Sequence, residues 1–199
     1  MWAQVESNNV TKVFTRPKAL TIGDVNYPSN IFTMWSASEL EAIGIYEVTI
    51  DNSNLKDKEY YINTQQSFNF ASGTVTASYG TATARAIADT LYTAQDETDG
   101  LGTEGEVKTQ GLKTIHKNRI NGQAGSILAP TDWMVIRATE GGTAVPSSIT
   151  TQRAAVRTKA NEMCTAIDNA ADVDALAALY VYNDATPPVR PLGELPSVG

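Results

Sequence analysis

The stretch TDWMVIRATEGGTAVPSSITTQRAAVR, residues 131–157, gathers Asp132 and Glu140 with Arg137, Arg153 and Arg157 around Trp133. Carboxylates and guanidiniums together can hold an anionic substrate or move a proton, and they can equally tie two helices to each other. The spacing favours ties. Asp132 stands where a short helix would begin, so its carboxylate suits an N-cap and the helix dipole. Trp133 and Ile136 fall on one face, and Arg137 and Glu140 are a pairing step apart. Gly141-Gly142 permits a reversal, and Val145-Pro146 sets the next helix start, with Val145 as a staple residue. Arg153 and Arg157, four apart, can reach back to Asp132 or Glu140. The expected product is a helical hairpin with Trp133 as its apolar anchor and arginines as its polar ties.

The remaining chemistry is sparse. The single histidine, His116, sits between Lys113 and Lys117 and reads as a surface residue; KTIHKNR reads as one solvated helix face. One cysteine, Cys164, allows neither an internal disulfide nor a thiolate cage, and its Ala-rich setting suits a small buried hydrophobe. With one His and one Cys, the usual zinc sites lack ligands. No G-x-S-x-G, P-loop or strand-led G-x-G-x-x-G occurs. In DETDGLGTEGE, Gly100 and Glu106 fit the sixth and twelfth positions of a calcium loop, but Gln95 stands where the first Asp belongs. Glu39 with Glu41, and Asp172 with Asp174, lie at helix starts, where the dipole accounts for them. No catalytic, cofactor-binding or metal residue is assigned, and the expectation is a non-enzyme without a cofactor.

The elements behind these residues read as an α+β chain. WAQVE-SNN-VTKVF is strand, turn, strand, and ALTIGDVNYP repeats the pattern with Gly23-Asp24 at the turn. Ser36 and Glu39 have capping-box spacing before ELEAIGI, and IYEVTI returns to strand. EYYINTQQSFNFASGTVTASYG is strand-like around Ser72-Gly73, and its Tyr60, Tyr61 and Phe70 can pack between subunits. Ile87 and Leu91 in TARAIADTLYTAQ have helical spacing. A second helix should place Leu112, Ile115, Arg119 and Ile120 near one side. Ile149, Arg153, Val156, Ala160, Met163 and Ile167 form an amphipathic stripe, and DVDALAALYVY ends the helical part. The organisation expected is a β-rich module at 1–80, a helical module at 81–182 with a hinge at about 96–106, and a Pro-rich tail at 183–199 with too few apolar residues to fold alone.

The net charge of −7 argues against nucleic-acid binding, which relies on clustered Lys and Arg. No basic-then-apolar leader opens the chain, and no apolar run approaches the ~18 residues of a membrane span. The expectation is a soluble product made in a cytoplasm, with no membrane partner.

One resemblance rests on these residues. LAPTDWMVIRATEGGTAVPSSITTQRAAVRT resembles a C-terminal segment that recurs in tailed-bacteriophage tail proteins, including tail-fibre assembly proteins and tail assembly chaperones. Its pattern falls here on Leu128, Thr131, Asp132, Trp133, Arg137, Glu140, Pro146, Arg153, Val156 and Arg157. The N-terminal GDVNYPSNIFTMWSASELEAIGIYEV, which holds Trp35, is similar to the small N-terminal unit of the same class. The resemblance covers about a third of the chain. It implies a non-enzymatic phage tail protein acting by protein–protein contact with other tail proteins, as a homo-oligomer or hetero-complex, in the virion tail or in the host cytoplasm during assembly. The alternative it implies is a transient tail-fibre assembly chaperone. The Tyr- and Phe-rich segment at 59–80 and the longer helical end depart from short chaperones and favour a virion component. A glycan- or receptor-binding module, or a small hydrolase, is the further alternative. In the tail-protein reading, Trp35 and Trp133 would be the apolar anchors, with Arg137, Arg153 and Arg157 as polar ties.

Overall fold

A computed structural model describes residues 1–198 and shows an α+β chain that divides into two compact units, Met1–Thr83 and a second from Ala84 onward. In the first unit, β1 (Trp2–Glu6) and β2 (Asn9–Phe14) form an antiparallel hairpin. Its turn residues Ser7 and Asn8 both take positive φ, as the tightest hairpin turns require. β3 (Leu20–Ile22) and β4 (Val25–Tyr27) pair across Gly23-Asp24. A short α1 (Ile31–Met34) leads to α2 (Ala37–Ala42). Ser36 closes the expected capping box: its Oγ accepts the Glu39 N–H, and its own N–H donates to the Glu39 carboxylate at 2.7 Å. The Ser36 N–H and hydroxyl together hold the Glu39 carboxyl below its ordinary range.

Gly44 then turns the chain at φ +79°, with its carbonyl accepting the Val5 N–H. β5 (Ile45–Asp51) follows, and β6 (Tyr61–Ile62), β7 (Gln66–Ala71) and β8 (Thr74–Tyr79) complete the unit, with β9 (Thr83–Ala84) bridging to β6 where the chain passes onward. The main sheet has the order β2-β1-β5-β8-β7, antiparallel except between β5 and β8. It curls far enough to bring its terminal strands β2 and β7 near each other. Strand alternation sends Ala3, Val48, Val75 and Ala77 into one core, against which Tyr46, Phe68 and Phe70 pack. A second core holds Phe14, Leu20, Ile31, Phe32, Leu40 and Ile45, with Trp2 and Trp35 against it. The aromatics read as able to pack between subunits also have partners inside the unit. Tyr60 is buried, Phe70 meets Tyr46 at 4.7 Å between ring centroids, and Tyr61 lies under Lys56.

The second unit opens differently from expectation. Residues 83–91, expected as helix, are extended: after β9 the chain runs to β10 (Thr90–Leu91), which pairs with β11 (Val107–Thr109). The reason lies in the next helix, α4 (Leu112–Leu128), whose N-cap Gly111 has no side chain to satisfy the first N–H groups. The carbonyls of Ala86 and Ile87 accept the N–H groups of Leu112 and Lys113, and Asp89 accepts from the Gly111 N–H and Thr114 hydroxyl. The segment serves as an external cap, a role that its own helicity would forbid.

The acidic segment 96–106 is the exposed connection of the β10–β11 hairpin within the second unit, and the division between units falls after Thr83, three residues beyond the 80/81 boundary read from the sequence. It contains α3 (Ala94–Thr98), capped by Thr93 and Asp96. Asp96 also receives Lys108 Nζ at 2.6 Å, and Lys108 together with the Thr93 donors lowers its carboxyl to about 2.

α4 packs along α6 (Ser147–Asn169), with α5 (Asp132–Thr139) between them in sequence and α7 (Val173–Ala178) after them. The stripe read on α6 is buried from Arg153 to Ile167. On α4 the buried face is Leu112, His116, Ile120 and Ala124, a strict step of four, so Ile115 and Arg119 are exposed. His116 is therefore not the surface residue that its lysine neighbours suggested. It is fully buried, and its Nδ1 lies 2.8 Å from the Tyr180 hydroxyl. The Pro-rich tail folds back within this unit: Leu192 is buried, and its N–H donates to the Leu179 carbonyl. Arg190 lies over the rings of Tyr180 and Tyr182 and pairs with Glu194 at 2.8 Å.

Candidate functional site

The corner where α4 ends, α5 begins and α6 passes behind them brings together two of the singled-out residues, Asp132 and Arg153. Helix ends leave carbonyls without partners at one terminus and favour carboxylates at the other. Arg153, buried on α6, meets both needs. Its Nη1 donates to the Leu128 carbonyl at the end of α4 and to the Thr131 hydroxyl, and its Nη2 pairs with Asp132 at 2.7 Å. Thr131 in turn donates its hydroxyl to the Leu128 carbonyl. Asp132 is thus the first residue of α5 and a partner of Arg153; neither it nor Thr131 makes the expected side-chain cap.

The rest of the expected hairpin differs in its side-chain contacts. Trp133 does not anchor the two helices to each other: it is 52% exposed, and Ile136 on the same face is 58% exposed. Arg137 does not pair with Glu140. Its guanidinium stacks over the Trp133 ring at 4.8 Å, and its Nε donates to the Thr143 carbonyl. Gly142 makes that fold-back possible, since a Cβ there would come within 2.7 Å of Arg137 Cγ. Glu140 and Arg157 are exposed and do not form the ties expected of them. Trp35 lies in the first unit, where it packs edge-on to Tyr27 at 5.8 Å as an apolar anchor.

On the side of α5 opposite Trp133, Val135, Val145, Thr150, Arg153 and Arg157 line a cleft of about 260 Å³. Val145, read from sequence as a staple, is one of its walls. Thr131 was legible only as a cap; its use as an Arg153 acceptor required knowing that α6 crosses the end of α4.

No group of three His, Cys, Asp or Glu side chains able to hold a metal ion is present among the described residues. In the segment that approximates a calcium loop, Asp96 is turned to Lys108 and Glu97 accepts the Glu104 N–H. Cys164 is partly exposed near Asn121, and burial raises its thiol above the ordinary range, which opposes thiolate chemistry. Among the described residues no helix is long and apolar enough to cross a membrane.

Compared with known proteins, the chain matches no family model, no curated protein and no solved structure.

Proposed function

We propose that this chain is a non-enzymatic protein of a tailed bacteriophage that works by protein–protein contact, as a component of the tail, baseplate or fibre. One observation carries the reading. Four of the residues on which the resemblance rests, Leu128, Thr131, Asp132 and Arg153, form a single hydrogen-bonded corner beside the outward-facing Trp133 and Ile136 of α5. Tryptophan and arginine are the side chains that most often dominate protein interfaces, and a stacked Trp133–Arg137 pair is held ready at little entropic cost. The fold needs Arg153 for its own cohesion, and what that cohesion presents is a partner surface.

Mass spectrometry of purified phage particles tests the reading. The chain is expected among the particle proteins at a fixed copy number. Its presence in infected-cell extracts but absence from particles would overturn a virion role and favour a transient assembly chaperone. Trp133→Ala is expected to reduce incorporation while leaving the thermal transition unchanged.

A further inference from the structure

Two features of the second unit complement each other in charge and in apolar character. The first is the cleft between α5 and α6, with Val135 and Val145 as apolar walls and Arg157 at its side. Arg153 has its donors committed to Leu128, Thr131 and Asp132, whereas Arg157 is exposed and pairs with no carboxylate among the described residues. The second is the tip between α3 and β11. Leu101 stands there 60% exposed, with Asp99, Glu104 and Glu106 close in sequence, and none of these acids meets a cation among the described residues.

The tip is braced. Thr93 and Asp96 cap α3, Lys108 holds Asp96, and the Glu97 carboxylate accepts the Glu104 N–H at 3.2 Å. Gly102 lies so close to Tyr92 that a Cβ would come within 2.5 Å of the ring. The backbone that carries this leucine among carboxylates is thereby braced, so little backbone ordering entropy opposes its docking.

We propose that the occupant of the α5–α6 cleft is a second copy of this chain, which inserts Leu101 between Val135 and Val145 and sets the acids beside it against Arg157. Copies with a net charge of −7 repel each other unless a positive surface meets a negative one, and this pairing supplies that match. Cleft to cleft or tip to tip would set like charges together. Tip and cleft can pair reciprocally about a two-fold axis in a dimer, or head to tail into a ring or a filament. The inference rests on the contact reading above only in taking the chain to work in assemblies.

Sedimentation velocity of the full chain across a concentration series tests it, at about 0.1 M and about 1 M salt, where the screening length falls from about 10 to about 3 Å. Association that grows with concentration and weakens in high salt is expected. Leu101→Ser and Arg157→Glu are each expected to weaken it about tenfold or more, with unchanged circular dichroism because both positions are exposed. Arg157→Glu combined with Glu104→Arg and Glu106→Arg should regain association; Arg157→Gln serves if a charge reversal disturbs folding. A monomer at every concentration, association indifferent to Arg157, or no recovery in the charge swap would each overturn the proposal. A monomeric chain that is still found in phage particles would overturn this pairing alone, whereas a self-associating chain absent from particles would overturn only the virion role.

Discussion

Replacing Arg153 by Met keeps most of the buried aliphatic bulk and removes the three hydrogen bonds that Arg153 makes in the corner. The loss has two parts. Leu128 O and the Thr131 hydroxyl would each lose a charged donor, at about 1.5–3 kcal/mol for such a bond, although Thr131 still satisfies Leu128 O in part. The ion pair to Asp132 adds about 0–1 kcal/mol, because the Asp132 side chain is 54% exposed and screened by solvent. With the Leu128 O loss largely offset by the Thr131 hydroxyl, Arg153→Met is expected to destabilise the second unit by about 2–4 kcal/mol, and Asp132→Asn by less than about 1 kcal/mol. The assay is urea unfolding followed by helical circular dichroism, which reports chiefly on the second unit because α4 and α6 belong to it. The shift in midpoint at constant slope gives the difference in stability. Equal losses for the two variants, or an Arg153→Met loss below about 0.5 kcal/mol, would refute the view that Arg153 acts mainly on backbone and hydroxyl acceptors.

Four further outcomes follow from the geometry. Gly44→Ala should destabilise the first unit more than Gly23→Ala: both glycines have positive φ, but a Cβ at Gly44 would meet the Val5 carbonyl oxygen at 2.9 Å, whereas Gly23 faces open space; equal melting shifts would contradict this. Tyr180→Phe should cost about 1 kcal/mol in urea unfolding through loss of the buried His116 bond, and a neutral effect would remove that bond from the account. The Asp96 carboxyl is held near 2, below its unfolded value, so its contribution to the β10–β11 hairpin is present above about pH 4 and disappears as pH falls through about 2; an NMR titration of the Thr93 amide with its midpoint near 4 would contradict it. Trp133→Ala should leave the unfolding free energy from urea titration within about 0.5 kcal/mol of the original, as for an exposed site, and a large loss would mean that the ring anchors the fold.

Local signals in the sequence read most clearly where an element satisfies itself. Ser36 and Glu39 close their own cap, Ser72-Gly73 turns its own hairpin at positive φ, and the α6 stripe is buried as its spacing indicates. The reading fails where one segment completes another. Ile87 and Leu91 have helical spacing, but the backbone around them is needed at the start of α4, whose Gly111 offers no cap. His116 between two lysines looks exposed until Leu112 and Ile120, four residues to either side, fix its face inward. At the candidate site, the arginine tie from Arg153 to Asp132 was legible in the spacing. The outward turn of Trp133 was not, because an amphipathic stripe does not say whether its partner belongs to the same chain.

The outward face of α5 is proposed to hold a partner in a phage particle. A photo-crosslinking residue placed at Trp133 in the full chain, followed by mass spectrometry of assembled particles, tests it most directly. The account predicts a covalent product with another tail protein, lost when the crosslinker is moved to an exposed position of the α6 outer face such as Thr158. A chain present in particles that yields no product at position 133 would contradict it.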